Sequence, residues 1–160
     1  MAKQKIQRSD NPVMWDRNVS TDIFTIKNIL ATGILNEYQR ENRQAQTLAM
    51  CAFTQLMVCL KDLLIKASNE GLRLDFKVGD KLDITDLVVK IRDAACHIES
   101  KDNLIGNSTF IFNMQTLPDG DIIYSYGQFD IRYHRGVIPL FNDVQKRLIP
   151  LTDYPPDFFK

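Results

Sequence analysis

Apolar residues at Ile23, Ile26, Ile29, Leu30, Ile34 and Leu35 recur at helical spacing, and Ser20, Thr21 and Asp22 offer side chains that cap a helix start. The spacing predicts a first helix from about Thr21. Residues 1–18 show no apolar periodicity and are expected to form a loose arm. The strongest pattern runs from Asn42 to Asn69 and is stopped by Glu70–Gly71. Leu48, Ala52, Leu56, Cys59, Leu60, Leu63 and Ala67 make its main stripe, and Phe53, Met57 and Leu64 widen it. So broad a stripe predicts a central helix packed on several sides. Leu72–Asp83 is short and mixed, with a turn signal at Gly79–Asp80. Thr85 or Asp86 can then cap a helix over Leu87–His97.

The period changes after this helix. Thr109–Gln115 and Asp121–Tyr126 are rich in β-branched and aromatic residues, and Leu117-Pro118-Asp119-Gly120 between them is a turn sequence. Gln128–Tyr133 reads either as a third strand or as an extended lead into the last helix. That helix is expected over Ile138–Leu148, with Pro139 in its first turn and Ile138, Phe141, Val144 and Leu148 near one face. Residues 150–160 are expected to form an irregular tail that straps onto the core or dangles. The expected fold class is mainly α: one domain over residues 1–160, a helical bundle with a small β-hairpin or three-stranded element before the C-terminal helix.

Composition narrows the classes. A chain of 160 residues with 44% hydrophobic and 25% charged side chains has enough apolar surface for one core and is unlike a disordered chain. Its 20 basic and 20 acidic residues cancel, so no basic surplus advertises a nucleic-acid partner. The three cysteines, Cys51, Cys59 and Cys96, form no CxxC pair; Cys51 and Cys59 would stand about 12 Å apart along one helix, too far for a disulfide. Reduced thiols, the absence of an apolar signal core in Met1–Trp15, and a Gln- and Thr-containing uncharged stretch at Gln44–Leu60 lead to the expectation of a cytoplasmic chain that does not span a membrane.

One short motif carries chemistry. In Ile91-Arg92-Asp93-Ala94-Ala95-Cys96-His97, an arginine is followed by a polar residue and, after small residues, a histidine. Cleaving RNA by its own 2′-hydroxyl needs that hydroxyl deprotonated, the leaving oxygen protonated and the charge on phosphorus stabilised. Histidine exchanges protons near neutrality, and arginine holds two phosphate oxygens at once. Arg92 and His97 lie about 140° apart around an ideal helix, so a compact site within one chain needs the helix to end near His97, whereas a symmetric dimer brings two such segments together in one cleft by a twofold axis. Asp93 shares a face with His97 and can fix its tautomer.

With these residues the chain resembles the HEPN superfamily, small helical proteins widespread in bacterial defence and toxin–antitoxin modules. The match is Arg92, the polar Asp93 and His97, within a helical portion of about Thr21 to Ser100. The strands and final helix that follow are similar to the plasmid- and abortive-infection-type branch. The resemblance implies an antiparallel helical bundle, a homodimer and a composite site for RNA cleavage that leaves a 2′,3′-cyclic phosphate. For a toxin it further implies an antitoxin, in this family often a small nucleotidyltransferase. Arg92 would hold the phosphate, His97 would transfer protons and Asp93 would orient His97. No cofactor or metal is implied.

Other readings stay open. Arg92 and His97 also suit a helix C-terminus electrostatically, and the motif can serve a non-catalytic dimer that binds RNA or a partner protein. Cys96 is expected to pack inertly, and two histidines, His97 and His134, leave little for a transition-metal site. Asp75, Asp80, Asp83 and Asp86 lack calcium-loop spacing, and no phosphate-binding glycine loop is present. Arg132, His134 and Arg135, with Lys146 and Arg147 and the aromatic Tyr124, Tyr126, Phe129 and Tyr133, form a candidate RNA-binding patch. The alternative is that the aromatics fill the sheet core and the charges are simply solvated.

Overall fold

The computed structural model describes residues 11–36, 42–72, 77–78, 82–96, 104–105, 108–109 and 112–160. Helix α1 (Pro12–Ala31) begins ahead of the expected Thr21. The Asn11 side chain accepts the Met14 N–H at 3.2 Å and Pro12 occupies the first turn, a start signal that the Ser20–Thr21–Asp22 reading passed over. Trp15, Val19, Ile23 and Ile26 then continue one buried stripe, so residues 12–18 are helix rather than loose arm, while residues 1–10 lie outside the described residues. The Ser20 and Thr21 hydroxyls donate instead to the Arg17 carbonyl, one turn back, at 2.9 and 2.8 Å.

Helix α2 (Arg43–Asn69) has the expected bounds. The Asn42 side chain caps it by accepting the Ala45 N–H at 3.0 Å. Its end is closed by Leu72 N–H donating to Ala67 O at 2.9 Å around Gly71, whose φ of +75° suits glycine. α2 packs against α1 on one side and a third helix on another, with Phe53, Leu56, Met57, Leu60, Leu63 and Ala67 buried. Leu48, expected in that stripe, is 59% exposed, because the buried side begins one position later at Ala49. By length and composition α2 could also cross a membrane, yet its buried side lines the protein core.

Strands β1 (Lys77–Val78) and β2 (Leu82–Asp83) pair antiparallel, and the predicted Gly79–Asp80 turn lies outside the described residues. β2 runs straight into helix α3 (Ile84–Cys96), which therefore starts before the expected Leu87 and buries Ile84, Leu87, Val88, Ile91 and Ala94. A second two-residue pair, β3 (Leu104–Ile105) with β4 (Ser108–Thr109), precedes a three-stranded antiparallel meander of β5 (Asn113–Thr116), β6 (Ile122–Tyr126) and β7 (Phe129–Arg132). The expected strand from Thr109 is thus divided between β4 and β5, and the segment after Gln128 is a strand. The β5–β6 turn closes through Gly120 N–H to Leu117 O at 3.0 Å, with Gly120 at φ +80°.

The sheet packs on α2 through aromatic contacts. Tyr124 stacks on Phe53 at 4.3 Å between ring centres and donates its hydroxyl to Leu35 O at 2.7 Å. Tyr126 shares a hydrogen bond of 2.8 Å with Thr54. A π-helical turn, Tyr133–Val137, leads into helix α4 (Ile138–Leu148), which buries Leu140, Phe141, Val144 and Leu148. The tail packs as a strap: Phe159 is buried beside Phe24, and Asp153 N–H donates to Asp16 at 3.0 Å. The fold is mainly helical, with a small three-stranded antiparallel sheet before the last helix, around one apolar core drawn from all four helices and the sheet.

Candidate functional site

On α3, Ile91 and Ala94 face the core, which turns Arg92 and Asp93 toward solvent, both half-buried. Asp93 Oδ1 accepts from Arg92 at 2.9 Å and from Lys61 of α2 at 2.8 Å. Partial burial disfavours the Asp93 charge, but hydrogen bonds from Lys61 and Arg92, with their positive charges, outweigh it and hold the carboxyl below its ordinary range. Asp93 therefore orients the Arg92 guanidinium and ties α3 to α2. His97 lies outside the described residues, so the motif's Arg92 and Asp93 are placed and its histidine is not. Lys61 was not anticipated; its sequence signal is only a cation that ends the long uncharged run of α2.

Lys61 also borders a groove of about 390 Å³ between α2 and α3, lined by Leu64, Ile65, Ser68 and Asn69 on one side and Thr85, Asp86 and Val89 on the other. The groove is open and mixed in polarity, and the Arg92–Asp93 pair adjoins it through Lys61.

The second candidate patch is internally neutralised. Arg132 and Arg135 converge on Asp119 Oδ2 at 3.0 and 3.1 Å, and Arg132 stands 3.7 Å from Asp121 Oδ2. Asp121 is buried, and its Oδ1 accepts the backbone N–H groups of Ile122 and His134, both at 2.8 Å. Hydrogen bonding from the Asp121 backbone and from Arg132 keeps the Asp119 carboxyl below its usual range. Arg147 pairs with Asp143 at 2.6 Å. Tyr124, Tyr126 and Tyr133 are buried and Phe129 is half-buried, so the three tyrosines fill the core and present no face for stacking bases.

No sequence pattern pointed to a third cluster, between α1 and α2. Lys66, 11% exposed, bonds Asp22 at 3.0 Å and also bonds Asp62. Two carboxylates sharing one ammonium leave an excess negative charge. Burial, together with the hydrogen bond to Asp62, pushes the Asp22 carboxyl up to about 6, and Asp62 is held low by its bonds to Asp22 and Lys66 against its own burial. Burial raises the neighbouring Cys59 thiol to about 11, which keeps it protonated. Cys96, expected to pack, is exposed, as is Cys51. Among the described residues no group of three or more His, Cys, Asp or Glu side chains could hold a metal ion.

The chain matches no family model, no curated protein and no solved structure.

Proposed function

We propose that the chain is a metal-independent endoribonuclease of HEPN type, a cytoplasmic homodimer acting in phage defence or as the toxin of a toxin–antitoxin pair. The observation that carries this reading is the Arg92–Asp93 pair near the C-terminal end of α3, with a histidine, His97, following in sequence. In the proposed reaction His97 takes the proton of the RNA 2′-hydroxyl, whose oxygen attacks phosphorus as the bond to the 5′-oxygen breaks. A proton, delivered by the histidine of either copy, goes to that leaving oxygen. Arg92, oriented by Asp93, stabilises the charge on the phosphate. A toxin of this kind would be restrained by an antitoxin of nucleotidyltransferase type.

The test is growth after induction of the wild type, His97→Ala and Arg92→Ala at equal soluble expression. Arrest by the wild type alone supports the reading. Equal growth of all three removes an unrestrained toxin and favours the second reading, a non-catalytic dimeric helical module that binds RNA or a partner protein. Of that second reading, binding of a partner protein is the form two observations favour: Asp93 is already used in tying α3 to Lys61, and Arg132 and Arg135, balanced by Asp119, are less available to RNA phosphates.

A further inference from the structure

The groove between α2 and α3 has two chemically different ends. Lys61 stands at one end and gives an N–H to Asp93, which also bonds Arg92. An ammonium carries three N–H groups, so Lys61 can donate to a ligand oxygen as well. Residues 61–69 of α2 share the groove with residues 85–89 of α3, and Lys61 pairs with the later Asp93, so the two helices run in opposite directions along it. Ser68 and Asn69 therefore stand across from Asp86 at the other end, about 12 Å along α2 from Lys61. Leu64, Ile65 and Val89 give apolar walls between the ends.

A ligand that matches this order has an anionic group at the Lys61 end, apolar faces in the middle and hydrogen-bond donors at the Asp86 end. One nucleotide has it: phosphate, then sugar, then the flat base with its polar edge. A volume of about 390 Å³ lies at the small end of the range of small-molecule sites, enough for one nucleotide and too little for a partner helix. Asp86 also excludes the opposite orientation, because its carboxylate repels a phosphate from the end where α3 begins. We infer that the groove is a base-reading subsite that takes a guanine of single-stranded RNA, beside the phosphate held at Arg92. The ribonuclease reading supplies the RNA; the groove supplies the base.

The choice of base follows from the carboxylate, which only accepts hydrogen bonds. Asp86 is exposed at the groove wall. Guanine alone among the four RNA bases sets two donors side by side on its Watson–Crick edge, N1–H and an N2 hydrogen. Two carboxylate oxygens accept such a pair in parallel, as they do from an arginine fork. Adenine and cytosine set one amino group beside a ring-nitrogen lone pair, and uracil sets N3–H between two carbonyl oxygens. Each of these would turn a lone pair toward Asp86. Guanine O6 can accept from the Asn69 amide or the Ser68 hydroxyl on the other wall.

The experiment measures fluorescence anisotropy of the full chain with short labelled oligouridines that carry one central guanosine, adenosine or cytidine, or none. The riboses are 2′-O-methylated so that binding is read without cleavage. The guanosine chain is expected to bind about tenfold tighter than the other three. Asp86→Asn is expected to remove that preference and leave the affinity for plain oligouridine unchanged. Lys61→Gln is expected to weaken all four alike and to lower the salt dependence by about one phosphate contact. The ratio between RNAs is read within each variant, so a partly folded sample does not mimic a lost preference. Equal affinity for the four chains, no binding, or a guanine preference that survives Asp86→Asn overturns the inference. Competition by free guanosine 5′-monophosphate as strong as that by the guanosine chain overturns RNA as its source. Cleavage of unmethylated RNA is read separately: guanine preference without cleavage removes the ribonuclease reading alone, and His97-dependent cleavage without guanine preference removes this inference alone.

Discussion

Replacing Asp22 with asparagine is expected to stabilise the protein at neutral pH and to change little under acid conditions. The cluster holds one ammonium, Lys66, against the carboxyls of Asp22 and Asp62. Burial raises the Asp22 carboxyl from 3.8 to about 6, so between these values the folded chain holds more proton than the unfolded one. Stability from this group is thus present below about pH 4 and is lost as pH rises through about 6. The rise from 3.8 to about 6 corresponds to about 3 kcal/mol if fully expressed. Asp22 is 17% exposed and its partner Asp62 48%, and this partial solvation reduces the expected effect to about 1–2 kcal/mol. The asparagine amide keeps a donor for Asp62 and leaves a neutral Lys66–Asp62 pair at high pH. Urea unfolding of both proteins at about pH 3 and about pH 7.5 checks the difference, since Asp62 is common to both; these pH values lie on either side of the window between 3.8 and about 6. A stability difference independent of pH, or a variant that weakens as pH rises, would refute the claim that burial outweighs Lys66 at Asp22.

Leu60 is fully buried where α2 meets its neighbours, and Leu60→Ala should cost about 2–5 kcal/mol in the same urea assay; a loss below about 1 kcal/mol would place it outside the core. Asp119→Asn removes the anion on which Arg132 and Arg135 converge, so retention on heparin should rise and become more salt-dependent. Unchanged retention would show that these arginines do not reach an external polyanion. Cleavage of RNA, if carried by His97, should depend on a group titrating near neutrality, read as the pH profile of the initial rate; a flat profile from pH 5 to 8 would remove histidine from the proton transfer.

Legibility in the sequence followed the strength of local signals. α2 and α4 were readable to their ends because Asn42, Gly71 and Pro139 mark boundaries with their own chemistry. The start of α1 was misplaced because Ser20 and Thr21 offer hydroxyls that cap in one context and bond back to Arg17 in another. The Asn11 cap with Pro12 in the first turn, and the burial of Trp15 and Val19 against the rest of the fold, decide between these uses. Leu48 misled for a related reason: its hydrophobicity fits the α2 stripe, but its azimuth puts it on the exposed side of the helix. The Arg92–Asp93 pair was visible as neighbours, whereas Lys61 reaches Asp93 across two helices, a contact that no periodicity records. The Arg132–Arg135 charge looked unbalanced along the chain because its counterions, Asp119 and Asp121, arrive from the preceding β-turn.

The most direct test of the ribonuclease account is incubation of purified wild type, Arg92→Ala and His97→Ala with total RNA in the presence of a chelator, followed by analysis of the new ends. The account predicts cleavage by the wild type alone, with 2′,3′-cyclic phosphate and 5′-hydroxyl ends. Cleavage that persists in both variants, or wild-type products bearing 5′-phosphate, would contradict it.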